Sequence, residues 1–157
     1  MGTAGNMIVH ATISSPFGTL DVTLEDDALA ALRFDAPAAA PRNTPSRTLD
    51  ALVAALDRYW AGEDVAFDMP VVLKGTPFQT SVWRALREVP RGRTITYAEL
   101  ARRIGKPRAV RAVGRANGAN PIAIIVPCHR VIGSNGALTG YGGGIDRKRR
   151  LLELERA

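Results

Sequence analysis

The sequence predicts an α+β protein in two parts, and three observations support this prediction. Apolar and polar residues alternate along residues 7–34, as they do in half-buried strands. Residues 76–155 instead place their apolar side chains at helical spacing. Residues 63–75 follow neither period and connect the two parts. We therefore predict an N-terminal α/β domain with its linker over residues 1–72 and a mostly helical C-terminal domain over residues 73–157.

The first part begins with three predicted strands and continues into one helix. Apolar and β-branched residues dominate the strands, and turn-forming residues separate them. The strands are predicted at residues 7–13, 19–24 and 28–34, before an Ala/Pro-rich loop at residues 36–46. A helix should follow, because apolar residues then recur three or four apart until Gly62, a stop signal. These residues are Leu49, Leu52, Val53, Leu56, Tyr59 and Trp60.

Capping signals delimit the helices of the second part. Thr76 followed by a proline marks the start of one helix, which should end before the Pro-Arg-Gly segment that follows it. Thr96 followed three residues later by Glu99 matches a capping box. We predict three further helices, at residues 97–104, 109–117 and 147–155, the last with Asp146 as its cap.

Positive charge is concentrated around the two short helices. Residues 84–115 contain ten Arg or Lys against two Glu, whereas residues 1–70 contain four Arg against ten Asp or Glu. Two short helices joined by a tight turn within a basic block resemble a helix-turn-helix, whose partner is nucleic acid. The alternative is a solvated helical surface, and the basic block favours nucleic acid over it.

The second short helix carries mostly small residues around Arg111. A recognition helix of this kind could approach a groove closely, with Arg111 projecting from it. Close packing against a neighbouring helix explains the same composition equally well. The small residues are Ala109, Ala112, Gly114, Ala116 and Gly118.

Cys128 is the only cysteine of the chain and follows an apolar run at residues 122–126, which we expect to form a strand. A thiol reacts as its thiolate and needs a base or a positive charge nearby, which His129 or Arg130 could supply. From these residues alone, an inert buried cysteine is as good an interpretation as a nucleophile.

The composition also argues against several other functions. Two histidines and one cysteine cannot provide a structural zinc site, and no phosphate-binding glycine motif is present, so we expect no metal and no cofactor. No stretch is apolar and long enough to span a membrane, and residues 1–6 lack a signal core. We therefore expect a cytoplasmic protein that does not bind membranes.

Cys128 lies within the segment Pro127-Cys128-His129-Arg130-Val131-Ile132, which is preceded by Asn120-Pro121. This segment, together with the motifs above, resembles the O6-alkylguanine-DNA alkyltransferase family in its short bacterial form. The resemblance covers residues 76–155 closely and the N-terminal half only by general pattern. Supporting segments are Phe78-Gln79, Val82-Trp83, Thr96-Tyr97, Arg111-Ala112-Val113-Gly114, Tyr141-Gly142-Gly143-Gly144 and Lys148-Arg149-Arg150-Leu151-Leu152-Glu153-Leu154-Glu155.

The resemblance implies a ribonuclease H-like N-terminal domain with a small antiparallel sheet and a helix. It also implies a C-terminal domain with a winged helix-turn-helix-like element. The implied activity is transfer of the alkyl group from O6-alkylguanine, and from O4-alkylthymine, in duplex DNA to Cys128 in one irreversible turnover. Cys128, a bridging water, His129 and Glu155 would form a relay that activates the thiol. Tyr97 would stabilise the leaving guanine, and Asn120 would brace the turn before the cysteine.

The resemblance also implies how the lesion is reached. The target nucleotide would flip out of the duplex while Arg111 fills its place in the stack and the second short helix enters the minor groove. A monomer is expected, with cooperative binding along DNA left open. The implied DNA surface is Thr96, Tyr97, Ala109, Val110, Arg111 and Gly114; the implied base pocket is Tyr97, Val131, Tyr141 and Gly142. Some relatives have serine in place of Gly142, so a roomier pocket is a further hypothesis.

Other classes of protein explain less of the sequence. An alkyltransferase-like protein that binds lesions without chemistry lacks the cysteine that this chain has. A cysteine hydrolase usually has its nucleophile and base far apart in sequence, and a basic helix-turn-helix is unexpected in one. A transcription factor would leave residues 127–130 without a purpose.

Overall fold

The computed structural model of the protein describes residues 7–35, 45–141 and 143–156. The chain divides into two compact units, Met1–Val72 and Leu73–Ala157. Each unit has its own buried core. Within the described ranges, no helix combines the length and apolar character needed to cross a membrane.

The first unit contains an antiparallel three-stranded sheet in the order β1-β2-β3. Val22 on the central strand is paired with Ala11 on one side and Leu32 on the other, and all three are buried. Alternation along β2 therefore points one face into the core, as the sequence predicts. The strands are β1 (Ile8–Ile13), β2 (Leu20–Glu25) and β3 (Ala28–Phe34).

One helix, α1 (Arg47–Trp60), completes the first unit. Ser46 caps it by accepting a hydrogen bond from the Leu49 amide, and Gly62, with φ of 95°, follows its end. Leu52, Leu56 and Tyr59 form its buried face. Residues 36–44 of the predicted loop lie outside the described residues. The three strands and this helix confirm the predicted class of the first unit.

The second unit is mostly helical, as predicted. Helices α2 and α4 both pack against α3, which places the two short helices and the preceding one around a common core. Trp83 of α2 is buried there, and its indole Nε1 donates a hydrogen bond to the Ala116 carbonyl at 2.8 Å. The elements are α2 (Pro77–Leu86), β4 (Ile95–Thr96), α3 (Tyr97–Arg103), α4 (Val110–Gly118), β5 (Val131–Ile132) and α5 (Ile145–Arg156).

The helix caps differ in detail from the sequence prediction. The complete capping box forms at Thr76, where Gln79 returns a hydrogen bond to the Thr76 amide. At Thr96 the side chain accepts from the Glu99 amide, but the Glu99 carboxylate binds Arg102 and Arg103 instead. Helix α5 begins one residue before Asp146, which therefore lies in the first turn rather than at the cap.

The parallel pairing of β4 with β5 positions the site. Ile95 pairs with Val131, and Thr96 pairs with Ile132. Because Tyr97 follows β4 and Cys128 lies three residues before Val131, this short ladder brings the start of α3 to the cysteine segment. The two short helices and the cysteine therefore belong to the same compact unit.

The strand predicted for residues 122–126 is wrong. This run folds into tight turns, in which the Ile125 amide donates to Ala123 and the Val126 amide donates to Ile122. Ile124 has a φ of 71°, which is rare for a β-branched residue and costs free energy. An apolar run signals burial but not backbone conformation: this run is largely buried, and apart from an isolated bridge at Ile122 it joins neither of the sheets in the described part of the chain.

Candidate active site and nucleic-acid interface

Cys128 opens a 3-10 turn, Cys128–Arg130, that follows the strained turns directly. The side chain is almost fully buried, with 7% of the residue exposed, and the thiol is free. The Cys128 carbonyl accepts a hydrogen bond of 3.4 Å from the side-chain Nδ2 of the buried Asn117.

Asn120 fastens the turns that lead to the cysteine. Its Nδ2 donates to the carbonyls of Val126 at 2.7 Å and Ile122 at 3.3 Å, while its Oδ1 accepts from the Ile122 amide at 2.9 Å. These bonds replace the ladder that a strand would have had, and they hold the strained Ile124 in place.

His129, Glu155 and Arg130 form a buried hydrogen-bonded cluster. Nε2 of His129 lies 2.7 Å from Oε2 of Glu155, and both side chains are within 1% of complete burial. The guanidinium of Arg130 donates from Nε to Oε1 and from Nη2 to Oε2 of Glu155, each at 2.9 Å. Its Nη1 donates to the Val89 carbonyl at 2.7 Å. Glu155 therefore binds the histidine and the arginine through the same carboxylate.

The ionisation of this cluster follows from its contacts. Burial alone would raise the pKa of Glu155, but hydrogen bonds from His129 and Arg130 outweigh it and hold the pKa far below the ordinary value. Burial lowers the pKa of His129, against the opposing effect of Glu155. A neutral His129 facing a carboxylate carries its proton on Nε2. Its Nδ1 is buried and has no hydrogen-bond partner among the described residues, so its lone pair is available as a base.

Lys148 supplies the positive charge that acts on the thiol. Burial raises the pKa of Cys128, and the hydrogen bond from Asn120 and the charge of Lys148 both oppose that rise. Lys148 itself is completely buried, which lowers its pKa, and its Nζ donates to the Thr139 carbonyl at 2.9 Å. Arg130, one of the two residues considered for this role from the sequence, instead binds Glu155.

The Thr139 carbonyl joins Lys148 to Tyr97. The Tyr97 hydroxyl donates to the same carbonyl at 3.2 Å, so one backbone oxygen accepts from both side chains. Tyr97, at the start of α3, is half-buried. Its hydroxyl therefore lies at the edge of the same site as the thiol and the lysine.

The predicted DNA surface lies on α4 and the start of α3. Arg111 is exposed on α4, while Ala109, Val110 and Gly114 are half-buried. A Cβ added at Gly114 would lie 3.8 Å from the Tyr97 ring, so this glycine packs against the tyrosine. Ala116 is buried against Trp83, whereas Gly118 is exposed. The small residues thus serve both interpretations: some pack against neighbours and others leave the surface bare.

The remaining predicted pocket residues are only partly described. Val131 is completely buried in β5, and Tyr141 is half-buried with its carbonyl accepting from the Gly144 amide at 2.9 Å. Gly142 lies outside the described residues. Across the described ranges, no group of three or more His, Cys, Asp or Glu side chains could hold a metal ion.

Sequence reasoning assigned no role to Lys148 or Thr139, and it considered Arg130 only as a base or positive charge beside the thiol. The sequence pattern could have revealed that Lys148 is buried. It precedes Leu151, Leu152 and Glu155 by three, four and seven residues, so it lies on the same face of the helix as they do. A lysine on such a buried face requires a partner. Thr139 gave no such signal, since its contribution is a backbone carbonyl.

Both units match known protein families. A model described as "6-O-methylguanine DNA methyltransferase, DNA binding domain" matches residues 77–157. A model described as the ribonuclease-like domain of 6-O-methylguanine DNA methyltransferase matches residues 8–73. Together they cover nearly the whole chain.

Similar proteins are known from mycobacteria. The methylated-DNA–protein-cysteine methyltransferase of Mycolicibacterium paratuberculosis is 50% identical over 154 residues, covering 96% of this chain and 93% of that protein. The crystal structure of Mycobacterium tuberculosis O6-methylguanine methyltransferase superposes with a TM-score of 0.83 at 50% identity, covering 96% of this chain and 93% of that one. The structure of Mycobacterium tuberculosis OGT in complex with DNA gives 0.84 at 51% identity, covering 94% and 92%.

Proposed function

The chain belongs to the 6-O-methylguanine DNA methyltransferase family, and on this premise we propose that Cys128 is the residue that receives the alkyl group. The protein binds DNA and repairs it by direct reversal, moving an alkyl group from the DNA to one of its own cysteines. Cys128 is the only cysteine in the sequence. Its place beside the buried His129–Glu155 pair is the observation that carries the proposal.

Activation of the thiol uses the relay of Cys128, a bridging water, His129 and Glu155. The thiol proton passes through the water to Nδ1 of His129, and Glu155 stabilises the imidazolium that forms. The orientation of His129 supports this step, because Nε2 faces Glu155 and leaves Nδ1 as the basic nitrogen. Lys148 supports it further, because its charge stabilises the thiolate.

The transfer itself is a displacement at the alkyl carbon. Sγ of Cys128 forms a bond to that carbon as the carbon–O6 bond breaks, and the electron pair of that bond stays on guanine. Tyr97 donates a hydrogen bond to the base as this charge develops. Since the Tyr97 hydroxyl donates to Thr139 in the free protein, the bound base takes the place of that carbonyl as acceptor.

The product explains why each molecule acts once. A thioether is not cleaved by thiol exchange, so the alkylated Cys128 stays blocked. Guanine remains in the DNA without its alkyl group, so the damage is reversed without removal of the base.

Access to the thiol requires the base to leave the duplex. Cys128 is buried, so a base stacked within DNA cannot reach it without flipping. We assign insertion into the vacated stack to Arg111, which is exposed on α4. Helix α4 approaches through the minor groove, where its exposed small residues, such as Gly118, permit close contact. The partner is thus duplex DNA with O6-alkylguanine, and we extend this to O4-alkylthymine.

The proposal also covers where in the cell the protein acts and whether it acts as a monomer. A reactive thiol is preserved in a reducing compartment, and we place the protein in the cytoplasm on that ground. We propose that a monomer carries out the transfer, because Cys128, His129, Tyr97 and Arg111 all belong to one unit of one chain.

Intact mass spectrometry tests the proposed function directly. The protein is incubated with a duplex containing O6-methylguanine, with Cys128→Ala as the control. We expect a gain of about 14 Da, one methylene, saturating at one per chain and confined to the wild type. A protein that binds the lesion without gaining mass would be a lesion-binding protein, and the proposal would fail. Repeated turnover would identify a hydrolase instead.

A further inference from the structure

Arg130 makes three hydrogen bonds that no step of the reaction has yet used. Two go to the carboxylate of Glu155 and one goes to the Val89 carbonyl, with distances between 2.7 and 2.9 Å. Only 11% of the Arg130 side chain is exposed, and 1% of the Glu155 side chain. An arginine fork held this way has one orientation, and so does the carboxylate that it grips.

The charges of the cluster balance only in one ionisation state. Arg130 carries one positive charge and Glu155 one negative charge, so the cluster is neutral when His129 is neutral. A net charge in such a buried place is costly. If Arg130 were uncharged, neutrality would instead require His129 to take a proton and become an imidazolium. The arginine therefore decides whether the histidine is a free base.

We propose that Arg130 is a positioning residue for alkyl transfer: by neutralising and orienting Glu155, it keeps His129 as the neutral tautomer whose Nδ1 can accept the thiol proton. This inference rests on the proposed function of the relay. It assigns to Arg130 a role distinct from contact with DNA or thiol, since it acts through Glu155 and His129.

The surrounding charges act in the same direction. Burial lowers the pKa of His129, and the charges of Arg130 and Lys148 lower it further, against the effect of Glu155. Lys148 lies on α5 with Glu155, and its charge also acts on Cys128. Arg91, which follows α2, instead faces the backbone at the end of α5, where it donates to the Leu154 carbonyl at 2.9 Å.

Nuclear magnetic resonance of ¹⁵N-labelled histidine distinguishes the tautomers and the imidazolium. The chain has only two histidines, and His10→Gln assigns the signal of His129. Arg130→Met removes the charge and the fork but keeps an apolar stem. We expect His129 to be neutral with its proton on Nε2 in the wild type and protonated at neutral pH in Arg130→Met. The rate of alkyl transfer at pH 7 should fall roughly tenfold or more and recover as pH rises.

Two further variants separate charge from shape. Arg130→Lys keeps the charge without the fork, and we expect His129 to stay neutral with a smaller loss of rate. The double variant Arg130→Met, Glu155→Gln removes both charges, and His129 should return to the neutral form. Arg91→Met is the matched control, since it removes a partly buried arginine that donates to the Leu154 carbonyl at the same helix end. It should leave the His129 signal unchanged.

The proposal is overturned if His129 of folded Arg130→Met keeps the wild-type tautomer and ionisation, with an unshifted pH–rate profile. If Arg130→Met does not fold, the test is made on the double variant Arg130→Met, Glu155→Gln. A protonated His129 in that variant would also overturn the proposal. A failure of the proposed function looks different: the wild type itself would gain no alkyl group, while the histidine signals would still report the effect of Arg130.

Discussion

His129 and Glu155, 26 residues apart in sequence, meet in the interior with Nε2 and Oε2 at 2.7 Å. One residue comes from the turn that begins at Cys128 and the other from the last helix. The contact therefore ties the cysteine segment to α5, and it leaves Nδ1 as the imidazole nitrogen that is free to accept a proton. In the proposed relay, a change at Glu155 should reach the thiol through this contact.

Glu155→Gln is expected to lower the rate of alkyl transfer about a hundredfold, because the imidazolium loses its stabilising anion. It should also lower the free energy of unfolding by about 3 kcal/mol, since Arg130 is left without its buried anionic partner. Single-turnover kinetics and chemical denaturation measure the two effects. Glu153→Gln, an exposed change on the same helix, is the control. Wild-type kinetics in Glu155→Gln would remove Glu155 from the relay.

Lys148→Met should make the thiol a weaker acid. The lysine is the charged group that opposes the burial-raised pKa of Cys128, and methionine fills a similar buried volume without charge. We expect transfer at pH 7 to slow about tenfold and the pH–rate profile to move to higher pH. Arg149→Met, which changes the exposed neighbour, should leave the profile in place. An unshifted profile in Lys148→Met would show that its charge does not reach the thiolate.

Asn120→Ala should loosen the turns before Cys128. Three hydrogen bonds are lost, and the strained backbone of Ile124 is no longer held. We expect the free energy of unfolding to fall by about 2 kcal/mol and the pKa of the thiol to rise further. Denaturation and the pH dependence of iodoacetamide labelling measure these effects. Asn135→Ala removes a comparable turn contact in an exposed loop and should leave labelling unchanged. Unchanged labelling in Asn120→Ala would reduce Asn120 to a structural role.

Arg111→Ala should separate base flipping from chemistry. The side chain is exposed on α4, whereas Cys128 and His129 are buried. We expect transfer from an O6-methylguanine duplex to slow at least tenfold, while transfer from free O6-benzylguanine keeps its wild-type rate. Arg84→Ala removes an exposed arginine of α2 as the control. Equal losses with both substrates would place Arg111 in the chemistry, and no loss with either would exclude it from flipping.

Free O6-benzylguanine also tests the pocket hypothesis attached to Gly142. A glycine offers more room than the serine of some relatives, so the wild type should accept the benzyl group. Rejection of the benzyl adduct alongside efficient use of the methyl adduct would contradict that hypothesis.

The sequence predicted the helices and strands well where the signals were local. Thr76, Thr96 and Gly62 mark ends that the structure places within one or two residues, because caps and stops act over a single turn. The run at residues 122–126 failed because its backbone is held by the side chain of Asn120, a contact that no periodicity records.

Those parts of the site that consist of side chains within sequence motifs could be predicted. Cys128, His129, Tyr97, Asn120 and Glu155 were named from motifs, and their roles stay predictions until the variants are measured. The contact between Tyr97 and Thr139 could not be foreseen, because it uses a backbone carbonyl 42 residues away in sequence. The fork of Arg130 on Glu155 likewise depends on tertiary packing.

The burial of a neutral His129 should make stability depend on pH in a defined window. Burial lowers the pKa of His129 below its ordinary value of 6.5. At pH values between the lowered pKa of folded His129 and 6.5, the unfolded chain binds a proton that the folded protein does not. Acid therefore favours unfolding, and the free energy of unfolding rises with pH. The slope should approach about 1.4 kcal/mol per pH unit in this window. The lowered pKa of Glu155 adds an effect of the same sign only below 4.5.

Chemical denaturation at half-unit steps between pH 5 and pH 7 measures this slope. His129→Gln should flatten it, because glutamine does not titrate, whereas His10→Gln on β1 should preserve it. The comparison isolates the buried histidine, since these are the two histidines of the chain. A slope that survives in His129→Gln would mean that another group takes up the proton on unfolding, and that the neutral state assigned to His129 in the relay is wrong.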